Sequence, residues 1–249
     1  PPTKLHRKET KMKIVTNKKL IQRNRKVGQI LSIASLAVLG VGMYMSFQPQ
    51  LLSYSFLALI VGFMVSQIGI YYGNRWGRSP RPDEQITAAL KGLDDRYTLY
   101  HYIAPTAHLL VGPAGVWALL PYAQKGKITY QNGKWKQKGG SLYLKVFAQE
   151  GLGRPDMEIK GALEDMKKFY ANQLQGTALP TQAAMVFTNP KVELETTEAP
   201  VPAVKADKLK DFIRKNAKEG SKVMTPDVVK QLTTALPEFD VEVIKGDVK

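Results

Sequence analysis

A run of lysines with aromatic residues between them is the part of the chain best suited to chemistry with a charged partner. Residues 96–149 contain no Asp or Glu, and Tyr130, Trp135 and Tyr143 stand among their basic residues. Lysines neutralise phosphates and aromatic rings stack on bases, so this combination on strands predicts nucleic-acid binding. A solvated face turned towards an anionic membrane is the alternative. The candidate residues are Lys125, Lys127, Lys134, Trp135, Lys136, Lys138 and Lys145.

The lack of acids argues against metal-dependent catalysis in this region. Mg²⁺ requires carboxylate oxygens in near-octahedral geometry, and residues 96–149 offer none. Asp94 and Asp95 are adjacent, so their side chains point apart, and His101 and His108 are interpreted as strand residues. The chain has no cysteine, which excludes disulfides and thiolate metal sites. We therefore expect no metal site and no cofactor.

Residues 27–74 contain no charged side chain. They therefore determine whether the protein acts in water or at a membrane. Gln48-Pro49-Gln50 divides them into two apolar runs, residues 27–47 and 51–71, each long enough to form a helix of about 30 Å that crosses a bilayer. The pattern predicts a transmembrane helical hairpin. The alternative is a helical hairpin buried in the core of a large soluble protein.

Charge predicts the orientation of this hairpin. Residues 1–26 form a basic arm with ten Lys or Arg and one acid, and more arginines follow the second run. Because Lys and Arg collect on the cytoplasmic side, both termini and the soluble domain are expected there, at the cell (inner) membrane. Lipid contacts are expected from Lys18, Lys19, Arg23, Arg25, Lys26, Arg75, Trp76 and Arg78. The more distal arm is expected either to be disordered or to bind nucleic acid or an acidic protein surface.

Small residues recur within the apolar runs at four-residue spacing. Such spacing lets helix backbones approach closely, either within the hairpin or against the helix of a partner protein. Both alternatives remain open from the sequence. The residues are Gly28, Ser32, Gly62, Ser66, Gly69 and Gly73.

The remainder of the chain predicts an α/β domain with helices on the faces of a sheet. Asn132-Gly133 is typical of a two-residue hairpin turn, and Thr225 and Pro226 of a helix start. Helices are expected from Asp83 to about residue 93 and over residues 156–170, 207–216 and 226–236. Strands are expected over residues 97–103, 108–111, 116–120, 127–131, 134–137, 142–147, 183–187 and 239–244.

Several segments of this domain resemble the NERD (nuclease-related) domain. They are Glu84 to Leu90, residues 108–117, 126–128, 133–135, 185–189 and 203–213, so that the resemblance covers about residues 80–216. It implies a restriction-endonuclease-like fold, with residues 217–249 as a C-terminal helix and strand extension. Active members of that family are expected to cut DNA with a metal held by a helix Glu, a strand Asp and a Glu-x-Lys motif.

The chain departs from this family pattern at the expected metal ligands. Glu84 matches the helix glutamate, but the strand Asp falls at Ala107 and the Glu-x-Lys at Leu120, Pro121 and Tyr122. Without these acids the metal that generates the attacking hydroxide cannot be held. Glu84 is thus expected to be vestigial, and its structural alternative is a first-turn helix acid favoured by the macrodipole.

Three functional hypotheses follow. The first is a membrane-anchored, non-catalytic NERD-like protein that acts as an accessory or scaffold subunit of a membrane protein complex, with the lipid bilayer and other membrane subunits as partners. The second is a membrane-tethered nucleic-acid-binding protein. The third is a metal-dependent nuclease whose ligands have been relocated.

Overall fold

A computed structural model of the chain describes residues 12–139, 151–173, 181–220, 226–236 and 241–243. These residues belong to two units, which are described separately. The first is a hairpin unit, residues 18–84. The second is an α/β unit that contains residues 12–17, 85–139 and the described residues from 152 onwards.

The hairpin unit consists of two long helices joined by a short turn. Helix α1 is Lys18–Ser46 and helix α2 is Leu52–Tyr72, with a 3₁₀ turn at Pro49–Leu51 and a π-helical turn at Gly73–Gly77. The two helices expected from the apolar runs are confirmed, but α1 begins nine residues before residue 27. Leu, Gln, Lys and Arg favour helices, and residues 18–26 contain no Gly or Pro to stop one.

The α/β unit has four helices and ten strands among its described residues, and the first of these helices begins within the last three residues of the hairpin unit. The helices are α3 (Pro82–Ala89), α4 (Pro155–Gln173), α5 (Ala206–Gly220) and α6 (Pro226–Ala235). The strands are β1 (Lys13–Thr16), β2 (Thr98–His101), β3 (His108–Gly112), β4 (Gly115–Tyr122), β5 (Gly126–Gln131), β6 (Lys134–Lys138), β7 (Thr181–Phe187), β8 (Val192–Glu195), β9 (Ala203–Lys205) and β10 (Val241–Val243).

Seven strands form a mixed sheet in the order β10-β1-β2-β3-β4-β7-β9. Strands β2, β3 and β4 are antiparallel neighbours, whereas β1 runs parallel to β2 and β7 runs parallel to both β4 and β9. A smaller sheet has the order β6-β5-β8. This topology confirms the α/β class.

Helices cover both faces of the large sheet. Leu99 and Leu110 pack on one face with Ile86 of α3 and Leu209 of α5. Their strand neighbours point the other way, to a second cluster that includes Tyr100 and Leu109 with Met166 of α4 and Leu232 of α6. The alternation of side chains along each strand therefore creates two cores from one short sequence.

Segments from both ends of the chain take part in the α/β unit. The basic arm does not extend unbroken to residue 26, because β1 lies inside the large sheet with Ile14 and Val15 buried. The expected C-terminal helix and strand are present as α6 and β10, and they belong to the α/β unit, since Leu232 and Leu236 are in its core and Val241 pairs with Val15. Burial of apolar side chains draws both segments into the α/β unit.

Other differences concern individual elements. The expected strand over residues 97–103 ends at His101, because Tyr102 has a φ of 60°, which a strand cannot accommodate. Strands β1, β8 and β9 were not expected from the sequence. Positive φ angles at Asn132 and Gly133 confirm the hairpin turn between β5 and β6. The expected strand over residues 142–147, the helix cap at Thr225 and arm residues 1–11 lie outside the described residues.

Candidate functional site

The two helices of the hairpin meet along small residues at seven-residue spacing. Residues that repeat every seven positions stay on one side of a helix that is slightly overwound to 3.5 residues per turn. They form a continuous seam between α1 and α2. The buried small residues of this seam are Gly28, Ser35 and Gly42 in α1 and Ser55, Gly62 and Gly69 in α2.

The backbones in the seam are too close for most side chains. A Cβ added to Gly28 would lie 2.8 Å from the Cβ of Tyr72, and one added to Gly62 would lie 2.8 Å from Leu39. At Gly69 the nearest atom to an added Cβ is the Oγ of Ser32, at 2.9 Å. Glycine at these positions therefore allows the two helices to pack on each other.

Not every residue predicted for helix packing belongs to this seam. A Cβ added to Gly73 would meet no atom within 4 Å. The Ser66 hydroxyl donates a hydrogen bond to the carbonyl oxygen of Phe63 in its own helix at 2.7 Å. Gly28, Ser32, Gly62 and Gly69 thus contribute to the contact inside the hairpin, and Gly73 approaches it only through its backbone nitrogen, which would lie 3.4 Å from a Cβ on Gly28.

A buried hydrogen bond also crosses the seam. The Oγ of Ser55 in α2 donates to the carbonyl oxygen of Gly42 in α1 at 2.7 Å. A hydroxyl in an apolar environment is costly unless it is hydrogen-bonded, so this bond fixes the register of the two helices. Four-residue spacing did not identify Ser35, Gly42 or Ser55; the seven-residue repeats 28-35-42 and 55-62-69 would have done so.

The outward faces of the hairpin are covered by large apolar side chains. Ile33, Leu36 and Phe56 are each 69% exposed and Phe47 is 76% exposed. Within the most apolar stretch of each helix, few residues are buried: 17% in α1 and 11% in α2. A helix in the core of a soluble protein would be mostly buried. By length and composition both helices are able to cross a membrane.

Basic and aromatic residues collect at the end of the hairpin unit where α1 begins and α2 finishes. The Arg75 guanidinium lies 5.6 Å from the ring centroid of Trp76, and its Nη1 donates to the Tyr71 hydroxyl at 3.5 Å. Trp76 itself is buried. Exposed cations surround this end, as expected for residues at a membrane interface. They are Lys19, Arg23, Arg25, Lys26 and Arg78, with Lys18 half-buried.

Glu84 has a structural role at the start of α3. Its Oε2 accepts hydrogen bonds at 2.8 Å from both the Ser79 hydroxyl and the Arg81 backbone N–H, and its Oε1 lies 2.7 Å from the Arg81 guanidinium. The buried Asp83 accepts two further bonds from Arg81, at 3.0 and 2.9 Å. These contacts satisfy donors at the helix N-terminus and engage both carboxylates.

The other positions expected for nuclease ligands lie at the same end of two adjacent strands. Ala107 directly precedes β3, and Leu120 and Tyr122 are near the end of β4. The Tyr122 hydroxyl donates to Glu158 of α4 at 2.7 Å, and burial together with this carboxylate raises the pKa of Tyr122. Sequence reasoning missed Glu158. Among the residues that the structure describes, no three His, Cys, Asp or Glu side chains converge as a metal site.

The candidate lysines lie on β5 and β6, but their aromatic neighbours do not share their surface. Lys134, Lys136 and Lys138 alternate along β6 and are exposed. Trp135 points to the opposite face, where it packs edge-on against Tyr130 at 5.1 Å between ring centroids. The Trp135 indole N–H donates to Asp156 at 2.9 Å. Trp135 and the lysines interleave along the sequence but lie on opposite faces of β6, because strand geometry separates odd from even residues.

The remaining candidate lysines differ in their surroundings. Lys127 forms an ion pair with Glu195 of β8 at 2.5 Å, which reduces the net charge of the lysine face. Lys125 precedes β5, and its carbonyl oxygen accepts a hydrogen bond from Gln137 at 3.1 Å. Lys145 lies outside the described residues.

Two buried histidines form a close pair that sequence reasoning did not foresee. His101 and His108 are opposite each other on β2 and β3, are each 1% exposed, and have their Nδ1 atoms 2.8 Å apart. The Nε2 of His101 lies 2.8 Å from the Thr87 hydroxyl. One Nδ1 must donate and the other accept, so the pair shares a proton. The strand register is the signal that would have predicted this pair.

No family model, curated protein or solved structure matches this chain.

Proposed function

We propose that the chain is a membrane-anchored, non-catalytic protein that acts as an accessory or scaffold subunit of a membrane protein complex. The belt of exposed apolar side chains around a tightly closed hairpin is the observation that supports this most strongly. In water this belt would be an aggregation site, whereas lipid or a partner helix covers it favourably. At about 44 and 32 Å, the two helices are long enough for a hydrocarbon core of about 30 Å.

Chain connectivity supports a topology with both ends of the hairpin on one side. Strands β1 and β2 are neighbours in one sheet, although the whole hairpin lies between them in the chain. A bilayer cannot divide hydrogen-bonded strands, so the chain must return to the side that it left, as two crossings allow. The cations at this end of the hairpin favour the cytoplasmic side of the inner membrane.

The NERD-like assignment is part of this proposal. It is supported by the positions of the resembling segments, which lie in chain order on α3, on β3 and β4, on β5 and β6, on β7, and on β9 and α5. The ligand positions carry Ala107, Leu120 and Tyr122, and Glu84 is held by Ser79 and Arg81. These features favour a domain retained for binding rather than for cutting DNA.

A test of the scaffold role is to solubilise native membranes gently, separate complexes by size and identify co-migrating proteins by mass spectrometry. Migration with a defined set of membrane subunits is the expected result. A chain that migrates alone in every mild detergent would contradict the scaffold role.

The alternative function is a membrane-tethered nucleic-acid binder. It is favoured by the shared exposure of Lys134, Lys136 and Lys138 on one strand face. Its signature is an affinity that falls steeply with salt, because each neutralised phosphate releases counterions. Replacing the three lysines with Gln should then lower both the affinity for nucleic acid and the dependence of that affinity on salt concentration. Wild-type protein that fails to bind nucleic acid at low salt would exclude this function.

A further inference from the structure

The outer face of α1 changes from apolar to cationic without a break. Ile21, Gly28, Ser35 and Gly42 are the buried residues of α1 and define the side that packs inwards. Residues about half a helical turn away point outwards, at 100° per residue. In order along the chain these outward residues are Lys19, Arg23, Lys26, Ile30 and Ile33, all of them exposed.

The apolar part of this face is wide open. Ile30 is 66% exposed and Ile33 is 69% exposed, and both follow Lys26 within two helical turns. An apolar surface beside a cationic surface on one helix face matches the two parts of a phospholipid, its acyl chain and its phosphate. Nucleic acid matches only the cationic part.

The cations of this face have no acidic competitor on their own helix. The sequence of α1, Lys18–Ser46, contains no Asp or Glu. Within the described residues no ion pair involves Arg23 or Lys26. The nearest carboxylates of the hairpin unit in the sequence, Asp83 and Glu84, are both paired with Arg81.

We propose that the outer face of α1 binds an anionic phospholipid, with the headgroup phosphate at Arg23 and Lys26 and an acyl chain along Ile30 and Ile33. The inference rests on the proposed insertion of the hairpin into a bilayer. Arg23 and Lys26 are three residues apart and so lie side by side on the helix surface, where two cations can reach one phosphodiester. Juxtamembrane cations of this kind each contribute about 1 kcal/mol to the attraction of anionic lipid.

The test compares lipids that differ in headgroup charge. Full-length protein is reconstituted in mixed phosphatidylglycerol and phosphatidylcholine, extracted gently, and analysed by native mass spectrometry for the lipids that remain bound. We expect the wild type to prefer phosphatidylglycerol. The R23Q/K26Q variant should lose up to about thirtyfold of this preference, since two charges of about 1 kcal/mol each are removed.

A matched control is K167Q/K168Q, which removes two exposed cations from α4 in the other unit. Its lipid preference should equal that of the wild type. An unchanged preference in R23Q/K26Q, or an equal loss in K167Q/K168Q, would overturn the inference. Loss of oligonucleotide binding in R23Q/K26Q with no change in lipid preference would overturn it too, and would assign these cations to nucleic acid.

Flotation with vesicles of pure phosphatidylcholine separates this inference from the proposed function. Wild type and R23Q/K26Q should both float, because insertion depends on the apolar belt. A wild type that floats but shows no headgroup preference contradicts the lipid site alone. A wild type that fails to float contradicts membrane anchoring as well as the lipid site.

Discussion

Replacing Gly28 with Ala should weaken the hairpin, although the same change at Gly40 of α1 should not. The added methyl group would lie 2.8 Å from the Cβ of Tyr72. Non-bonded carbon atoms ordinarily lie about 3.5–4.0 Å apart, so the helices must separate by about 1 Å. Because the obstructing atom is a Cβ fixed to the backbone, a side-chain rotation cannot relieve the clash.

The matched control is Gly40→Ala in the same helix, where an added Cβ meets no atom within 4 Å. Both substitutions gain up to about 1 kcal/mol of helix propensity. Only Gly28→Ala incurs an overpacking cost, typically about 1–3 kcal/mol. The difference in unfolding free energy between the two variants should therefore be about 1–3 kcal/mol, with Gly28→Ala the less stable.

The assay is denaturant titration of the two variants in the same bilayer-mimicking micelle, followed by helical circular dichroism and by a fluorescence probe of helix separation. Equal midpoints for Gly28→Ala and Gly40→Ala would refute the close packing of α1 and α2. A more stable Gly28→Ala would refute it as well.

Three further predictions concern single side chains. Ser55→Ala should destabilise the hairpin by about 1 kcal/mol in the same titration, because the carbonyl oxygen of Gly42 loses its buried donor. An unchanged free energy of unfolding would argue against this hydrogen bond. Glu84→Gln should lower the free energy of unfolding by about 1 kcal/mol, because a charge that interacts favourably with a helix N-terminus is lost. Neither the variant nor the wild type should cut DNA with Mg²⁺ or Mn²⁺. Cutting by the wild type but not by the variant would restore the nuclease hypothesis. Burial raises the pKa of Tyr170 to about 12. The stability that the protonated Tyr170 contributes is therefore complete below about pH 10 and is lost as the pH rises towards 12. The loss is up to about 1.4 kcal/mol per pH unit. Tyr170→Phe should make the alkaline slope shallower without abolishing it, because Tyr122 also has a raised pKa, and an identical slope in both proteins would contradict the assignment.

Local features of the sequence predicted the hairpin and most of the elements. The charge-free residues 27–74 predicted two apolar helices, and the Asn132-Gly133 turn predicted the hairpin of β5 and β6. The period of two along β6 also contained the information that Trp135 faces away from Lys134 and Lys136, which the clustering of residue types alone does not give.

Features that depend on distant parts of the chain could not be predicted in this way. Strand β1 is four residues long, lies among lysines and pairs with β2 more than eighty positions later. Its strand character is therefore set by tertiary burial and not by local propensity. Likewise, the pairing of His101 with His108 and the meeting of Tyr122 with Glu158 depend on register and helix docking. The small-residue seam was only partly predicted, because its residues repeat every seven positions and a spacing of four includes only some of them.

We propose that the hairpin crosses the membrane twice and that the α/β unit lies in the cytoplasm. Because the chain has no cysteine, single cysteines can report on each side directly. Intact cells that express Gln50→Cys or Lys136→Cys should be treated with a membrane-impermeant maleimide. For this topology we expect Gln50→Cys to be labelled in intact cells and Lys136→Cys to be labelled only after permeabilisation. Labelling of Lys136→Cys in intact cells, or of Gln50→Cys only after permeabilisation, would contradict it.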